Sequence, residues 1–245
     1  MVVTSTATLI IGAGQGIGLE FVRRFLAASR TDLVYATYRR PNCELLKIDD
    51  ARLRCLSVDV TIEEQIVQAV QALQTNNLRY VINCVGLLHD GEMQPEKSLR
   101  QINTEQMLRY FQVNSVSAVL WAKHLQPLFR QSDQSIFASI SAKVGSIGDN
   151  QLGGWYGYRA SKAALNMLMK NVSIEYRRTC PQTTVVVLHP GTTDTNLSQP
   201  FQRNVPPEKL FSVERTVDQL LVVIDQLSIQ DSGEFFNWDG QKLPW

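Results

Sequence analysis

Short apolar runs alternate with longer amphipathic segments along this chain, and few folds accommodate that order. Ala7–Ile11, Leu33–Tyr38, Leu53–Val58, Tyr80–Val85, Ser135–Ile140 and Thr184–Leu188 read as buried strands, with Gly233–Phe236 as a short last one. Between them, Gly16–Ser29, Ile62–Gln74, Ile102–Arg130, Gly154–Arg178 and Val213–Leu227 carry helical patterning. Strands separated by helices of this length imply right-handed crossovers and a parallel sheet covered on both faces. The expectation is a single α/β domain over residues 1–245, a doubly wound parallel sheet of Rossmann type. No repeat or linker interrupts it. Pro190 to Phe211, with Pro200, Pro206 and Pro207, cannot form one uninterrupted helix and reads as a loop over a site.

The first strand runs into Gly12-Ala13-Gly14-Gln15-Gly16-Ile17-Gly18 and a helix leaves it. Glycines permit a tight turn and the close approach of a pyrophosphate, which a helix N-terminus attracts. Gly12, Gln15, Gly16, Ile17 and Gly18 are therefore candidate cofactor contacts. The spacing is Gly-x-x-x-Gly-x-Gly; a turn that is glycine-rich for packing alone is the alternative, and the strand–turn–helix context favours the cofactor reading. After the second strand come Arg39 and Arg40, with no carboxylate to hold adenosine ribose hydroxyls. Guanidinium groups suit a 2′-phosphate, which favours NADP(H) over NAD(H); solvated loop charges are the alternative.

Tyr158 and Lys162 stand four residues apart, on one face of a helix. A cation near a phenol favours phenolate, and a phenol tuned that way can exchange a proton with an alcohol near neutral pH. With the glycine turn, the pair points to nicotinamide-dependent carbonyl/alcohol chemistry.

Composition excludes several other classes. Net charge of +1 gives no pull toward nucleic acid or an anionic membrane. No apolar stretch is long enough to span a bilayer, and Met1 to Thr8 lack a secretory pattern, so a cytoplasmic setting is expected. Cys43, Cys55, Cys84 and Cys180 are scattered and read as free thiols. His89, His124 and His189 have no metal-ligand spacing, and His189 reads as a loop residue.

These motifs together resemble the short-chain dehydrogenases/reductases over essentially the whole chain. The glycine turn is similar to that family's cofactor motif, and Asp59-Val60 to its adenine-contacting pair, although Asp59 could equally cap the next helix. Asn83-Cys84-Val85-Gly86 resembles its Asn-Asn-Ala-Gly segment, Asn114 its helix asparagine, and Pro190-Gly191-Thr192-Thr193-Asp194-Thr195 its nicotinamide-side segment. Gly145-Ser146-Ile147-Gly148, the stretch from Tyr158 to Asn166, and Trp238-Asp239-Gly240 through Pro244-Trp245 resemble the C-factor/carbonyl-reductase-like branch.

The resemblance implies an NADP(H)-dependent oxidoreductase acting on a small carbonyl or alcohol, working as a homodimer or homotetramer. Asn83, Gly86, Pro190, Gly191, Thr193 and Thr195 would line the cofactor, with Thr193 and Thr195 beside the nicotinamide. Tyr158 would donate the proton. Lys162 would lower its pKa and hold ribose hydroxyls, and Asn114 would position Lys162 through a water. Ile11 departs from the usual Thr or Ser, losing one hydrogen bond that braces the turn. The active-site serine falls on Ala142 in the strictest register; Ser141 is the candidate to serve instead, with Ser139 and Ser146 behind it. Trp155, Tyr156 and Phe201 would favour an apolar or aromatic carbonyl. A cofactor-binding signalling protein with little turnover is the competing reading.

Overall fold

The computed structural model describes residues 6–28, 30–74, 77–91, 93–130 and 132–245. The expectations for Ser29 and for Met1 to Ser5 lie outside these. Seven parallel strands form the main sheet: β1 (Thr6–Ile11), β2 (Leu33–Tyr38), β3 (Leu53–Ser57), β4 (Asn77–Asn83), β5 (Ser135–Ile140), β6 (Thr183–His189) and β7 (Phe235–Asn237). Their spatial order is β3-β2-β1-β4-β5-β6-β7. The order reverses between β1 and β4, and the crevice outside the carboxyl ends of the strands at that point is where ligands of such sheets sit.

Side-chain alternation divides the apolar core into two layers. Leu9 and Ile11 of β1, Phe137 of β5 and Val185 and Val187 of β6 face one way. They pack under α2 (Glu63–Gln71), α4 (Ser117–Phe129) and α5 (Tyr156–Thr179), where Trp121, Leu125, Leu165 and Met169 are buried. Ile10, Ala138, Ile140, Val186 and Leu188 face the other way, against α1 (Gly16–Ala28) and α6 (Val213–Gln226). Each fully buried Leu, Ile or Phe in these layers contributes about 1.5–3 kcal/mol. Arg30 on the α1 side pairs with Asp225 of α6 at 2.6 and 2.8 Å, fastening that outer layer.

Several boundaries differ from the sequence reading, and three of them bear on the site. The expected helix over Ile102–Arg130 is α3 (Thr104–Phe111), one π turn over Gln112–Val116, and then α4. The π turn rotates Asn114 inward, where it is buried; such insertions are common at functional sites. The helix expected from Gly154 begins at Tyr156, because Gly153, Gly154 and Trp155 are all left-handed (φ 62°, 66° and 49°). β4 ends at Asn83, leaving Cys84 and Val85 beyond the strand. Pro190–Phe211 does break up. It holds two short parallel strands, β8 (Thr192–Thr193) and β9 (Leu210–Phe211), and 3-10 turns over Gln199–Asn204 and Pro207–Lys209.

Candidate active site

The glycine turn joins β1 to the N-terminus of α1 at the sheet's reversal point. A methyl group built on Gly18 would lie 2.3 Å from the Gly12 carbonyl oxygen, so helix and strand end touch through backbone alone. Gly12 and Gly16 have φ of 79° and 55°, conformations that favour glycine. Ile11 offers no hydroxyl to the turn, and Thr37 at the end of β2 takes over that role. Its Oγ1 accepts the Gly12 N–H at 2.9 Å, and its carbonyl accepts the Ala13 N–H at 2.7 Å. Nothing in the local pattern of Ala36-Thr37-Tyr38 signals this bracing. A glycine-rich turn at a helix N-terminus, closed where Gly12 and Gly18 meet through backbone alone, fits a dinucleotide's pyrophosphate on its own geometry.

Around the expected adenosine end, Arg39 and Asp59 share a field: Asp59 is held below the ordinary carboxylate range. Its partial burial works against this, and two hydrogen bonds from Thr61 (2.9 and 2.6 Å) and the charges of Arg39 and Arg109 prevail. Asp59 therefore closes a turn at Thr61 and does not cap α2 with its side chain. Arg40 reaches Asp90 at 3.8 Å; among the described residues Arg39 has no ion pair. Val60 packs against the sheet core, and Asn83 Oδ1 accepts the Val85 N–H at 3.1 Å. Gly86 approaches Lys162: a methyl group there would lie 3.7 Å from Nζ.

Tyr158 and Lys162 sit in the first two turns of α5, and both are buried. The Lys162 ammonium donates to the Ile140 carbonyl at 3.0 Å and lies 5.9 Å from the Tyr158 ring centroid. Burial pushes the Tyr158 phenol upward and the Lys162 ammonium down to about 8, so the expected lowering of the phenol by its lysine does not arise from the protein groups alone. The other large buried phenols are engaged, Tyr110 with the Leu88 carbonyl at 2.6 Å and Tyr176 with the Ala122 carbonyl at 2.5 Å. Among the described residues nothing hydrogen-bonds the Tyr158 hydroxyl.

Asn114 makes no direct hydrogen bond to Lys162. Its Oδ1 accepts the Leu87 N–H at 2.6 Å, and its Nδ2 donates to the Leu87 carbonyl and to Ser161 Oγ, both at 2.9 Å. It therefore ties the loop after β4 to α5, one residue before Lys162. Ser141 is also placed differently from the expectation. Phe137, Ser139 and Ser141 alternate onto the α5 side of the sheet, and the Ser141 hydroxyl donates to Asn166 Oδ1 at 2.7 Å in the interior. Ser139 is fully buried on that face, and Ser146 Oγ accepts the Asp149 N–H at 3.2 Å. Ala142, in contrast, packs against the apolar cluster that contains Tyr158.

That cluster is apolar. Leu87, Leu88, Tyr110, Val113 and Tyr158 are its buried members, and Met93, Val144, Trp155, Leu197 and Phe201 pack against it. The Trp155 ring stands 6.1 Å from that of Tyr158 and 5.0 Å from that of Phe201, and His89 stacks edge-on to Phe201 at 5.8 Å. Trp155 and Phe201 thus take their expected places; Tyr156 is not part of this cluster. The loop after β6 lies across the glycine turn, with Asn196 donating to Gln15 at 3.1 Å and Thr195 facing Gly16. Thr193 turns away from the site, its Oγ1 sharing a hydrogen bond with Thr216 at 2.8 Å. Pro190 and Gly191 lead into this loop, and the Phe211 ring packs where a side chain at Gly191 would stand.

His189 is the last residue of β6, not a loop residue. Its Nδ1 accepts the Lys143 N–H at 3.2 Å, and burial lowers its pKa to about 4. Two of the three stretches that resemble one branch of the family meet in space: the Gly148 N–H donates to the Trp245 carbonyl at 3.0 Å. Among the described residues no group of His, Cys, Asp and Glu could hold a metal ion, and no helix is long and apolar enough to cross a membrane.

A family model described as short chain dehydrogenase matches residues 6–206. The short-chain dehydrogenase srdF of Neurospora crassa is 25% identical over 258 residues, covering 100% of this chain and 99% of that protein. C-signal of Myxococcus xanthus is 33% identical over 149 residues, 60% of this chain and 84% of its own length. The solved structure of NADPH-bound carbonyl reductase from chicken fatty liver matches with a TM-score of 0.86 at 28% identity, over 98% of both chains. Carbonyl reductase Sniffer of D. melanogaster shares the fold, with a TM-score of 0.84 at 22% identity over 98% of this chain and 99% of that one.

Proposed function

The chain belongs to the short-chain dehydrogenase family and is an oxidoreductase of the CH–OH/C=O class, and from that premise we propose that it reduces an apolar or aromatic carbonyl with NADPH, Tyr158 supplying the proton. The observation that carries this reading is the Tyr158 hydroxyl, borne on a buried residue of an apolar cluster and engaged by no group among the described residues, while Tyr110 and Tyr176 are both committed.

Gly12, Gly16 and Gly18 would take the pyrophosphate against the N-terminus of α1, with Gln15 and Ile17 between them, Arg39 the 2′-phosphate, and Asp59, Val60, Asn83 and Gly86 the adenosine and ribose side. Pro190, Gly191 and Thr195 would flank the nicotinamide. When bound, the reduced nicotinamide supplies the hydride. Tyr158 donates its phenolic proton to the carbonyl oxygen. Lys162, beside Gly86 and the Tyr158 ring, holds ribose hydroxyls and offsets the negative charge that the phenol acquires. Asn114 fixes the loop after β4 against the turn of α5 that carries Lys162. The carbonyl oxygen is left with one hydroxyl donor from the protein, since Ala142 carries none.

Arg39 is the test of cofactor choice. Arg39→Ala is expected to weaken NADPH binding about 10- to 100-fold, the loss of one charge-assisted contact, and NADH binding less than about threefold. Fluorescence titration with each nucleotide checks it, and an equal loss for both would assign Arg39 no part in 2′-phosphate recognition.

A second reading, a cofactor-binding signalling protein with little turnover, draws on the 33% identity to C-signal and on Ala142 beside the apolar cluster. Binding of NADPH without its consumption would favour it.

A further inference from the structure

Glu96 lies in the segment between β4 and α3, in Gln94-Pro95-Glu96-Lys97, and its side chain is buried. Among the described residues no cation pairs with it. Its partners belong instead to the start of α5. Oε2 accepts the Gly157 N–H at 3.1 Å, and the Glu96 main-chain carbonyl accepts the Trp155 N–H at 2.5 Å. Oε1 accepts from the Gln106 side chain of α3 at 2.9 Å, and Gln106 also donates to the Gln94 carbonyl at 2.7 Å.

A helix normally satisfies its first N–H groups with a Ser, Thr, Asp or Asn at its own N-cap. The N-cap of α5 is Trp155, left-handed and with no side-chain hydrogen bond. The capping carboxylate comes from 61 residues away. It is a full negative charge at the positive end of a 24-residue helix, a favourable placement.

The residue that Glu96 holds is pinned from a second side as well. A methyl group on Gly157 would lie 2.4 Å from the Tyr110 ring and 3.0 Å from Glu96 Oε1. Tyr158 follows immediately, its ring flanked by Tyr110 at 6.3 Å and Trp155 at 6.1 Å. The first turn of α5 therefore has little freedom to rotate, and that turn sets where the Tyr158 hydroxyl is presented.

We propose that Glu96 is a positioning residue: through Gly157 and Trp155 it fixes the first turn of α5 and so aligns the Tyr158 hydroxyl with the carbonyl oxygen. This rests on Tyr158 being the proton donor. A misplacement of about 1 Å at a reacting group can lower a rate about 100-fold. The glycine turn lies elsewhere in the fold, and Lys162, one turn further along α5, is held separately by the Ile140 carbonyl, so cofactor affinity is separable from alignment.

The experiment compares Glu96→Ala, Glu96→Gln and Tyr158→Phe with the unaltered protein, measuring kcat and KM on one reducible aromatic aldehyde and NADPH affinity by fluorescence. Glu96→Ala is expected to lower kcat about tenfold or more, with the NADPH Kd within about twofold. Glu96→Gln keeps an oxygen to accept the Gly157 N–H and is expected to recover kcat to within about threefold. A Glu96→Ala protein with kcat within about twofold of the original overturns the proposal, as does parallel loss of kcat and NADPH affinity, or a glutamine variant no better than alanine. Should Glu96→Ala not fold, Gln106→Ala carries the test. It releases one side of the carboxylate and is expected to lower kcat about three- to tenfold with the NADPH Kd unchanged; an unchanged kcat overturns the proposal. A Tyr158→Phe protein that still turns over would refute the donor role itself. An inactive Tyr158→Phe beside a fully active Glu96→Ala would refute only the role of Glu96.

Discussion

Tyr158→Phe is expected to lower carbonyl reduction about 10³-fold while leaving the NADPH Kd within about twofold. The substitution removes one oxygen and keeps the ring, so the edge contacts with Trp155 at 6.1 Å and Tyr110 at 6.3 Å survive. That oxygen has no protein partner among the described residues, so its loss leaves no buried donor or acceptor behind. Unfolding stability should change by less than about 0.5 kcal/mol, unlike most core substitutions. Activity falling without stability or cofactor affinity is the signature of a group that acts on the reacting atoms. The assay follows NADPH at 340 nm, with a fluorescence titration and a thermal melt on the same preparation. A rate within about tenfold of the original would remove Tyr158 from the chemistry.

Gly18→Ala is expected to damage the cradle itself. The added methyl would stand 2.3 Å from the Gly12 carbonyl oxygen and 3.0 Å from Ala13 Cα, both backbone, so α1 must move off the end of β1. Overpacking of this kind costs about 1–3 kcal/mol or more, which for a chain of 245 residues lowers Tm by about 2–10 °C. The shift also displaces the N–H groups at the start of α1, and NADPH affinity should fall about 100-fold. Gly14→Ala is the control for the fold. Its methyl would meet only Cys43 and Tyr38 at 3.5 and 3.7 Å, ordinary contact, and should alter stability by less than about 1 kcal/mol. Equal effects of the two substitutions on Tm would show that the contact between Gly18 and Gly12 does not matter.

The fold was legible because it is written in short-range patterns. Strand runs such as Ser135–Ile140 and the glycine turn at Gly12–Gly18 depend on neighbours a few residues away, and the structure places them where the periodicity does. The helix over Ile102–Arg130 was legible as a helix but not as one with a π turn, since a single inserted residue leaves the apolar pattern almost unchanged. Of the candidate site, the sequence spacing anticipates the neighbourhood of Tyr158 and Lys162, whose ammonium α5 places 5.9 Å from the Tyr158 ring centroid. The site was not legible where orientation or distant pairing decides. Ser141 and Ala142 are adjacent, and only the pleat of β5 continuing past Ile140 turns the serine toward Asn166 and leaves the alanine against the apolar cluster. Thr193 gave no sign that Thr216 would take its hydroxyl. Glu96 and Gly157 are 61 residues apart, and no local pattern links a carboxylate to a helix start at that range. Burial also outweighs the Tyr–Lys charge effect expected from spacing alone, because both groups are enclosed.

The measurement that bears most directly on the central claim is a titration of the purified protein with NADPH and with NADH, continued in the same cuvette with aromatic and aliphatic carbonyls at 340 nm. Saturable NADPH binding, at least about tenfold tighter than NADH and followed by steady consumption with an aromatic carbonyl, is the result predicted here. Tight NADPH binding with no consumption across the carbonyls would contradict the reductase assignment and favour a signalling protein that holds its cofactor, and failure to bind either nucleotide would contradict the reading of Gly12–Gly18 as a phosphate cradle.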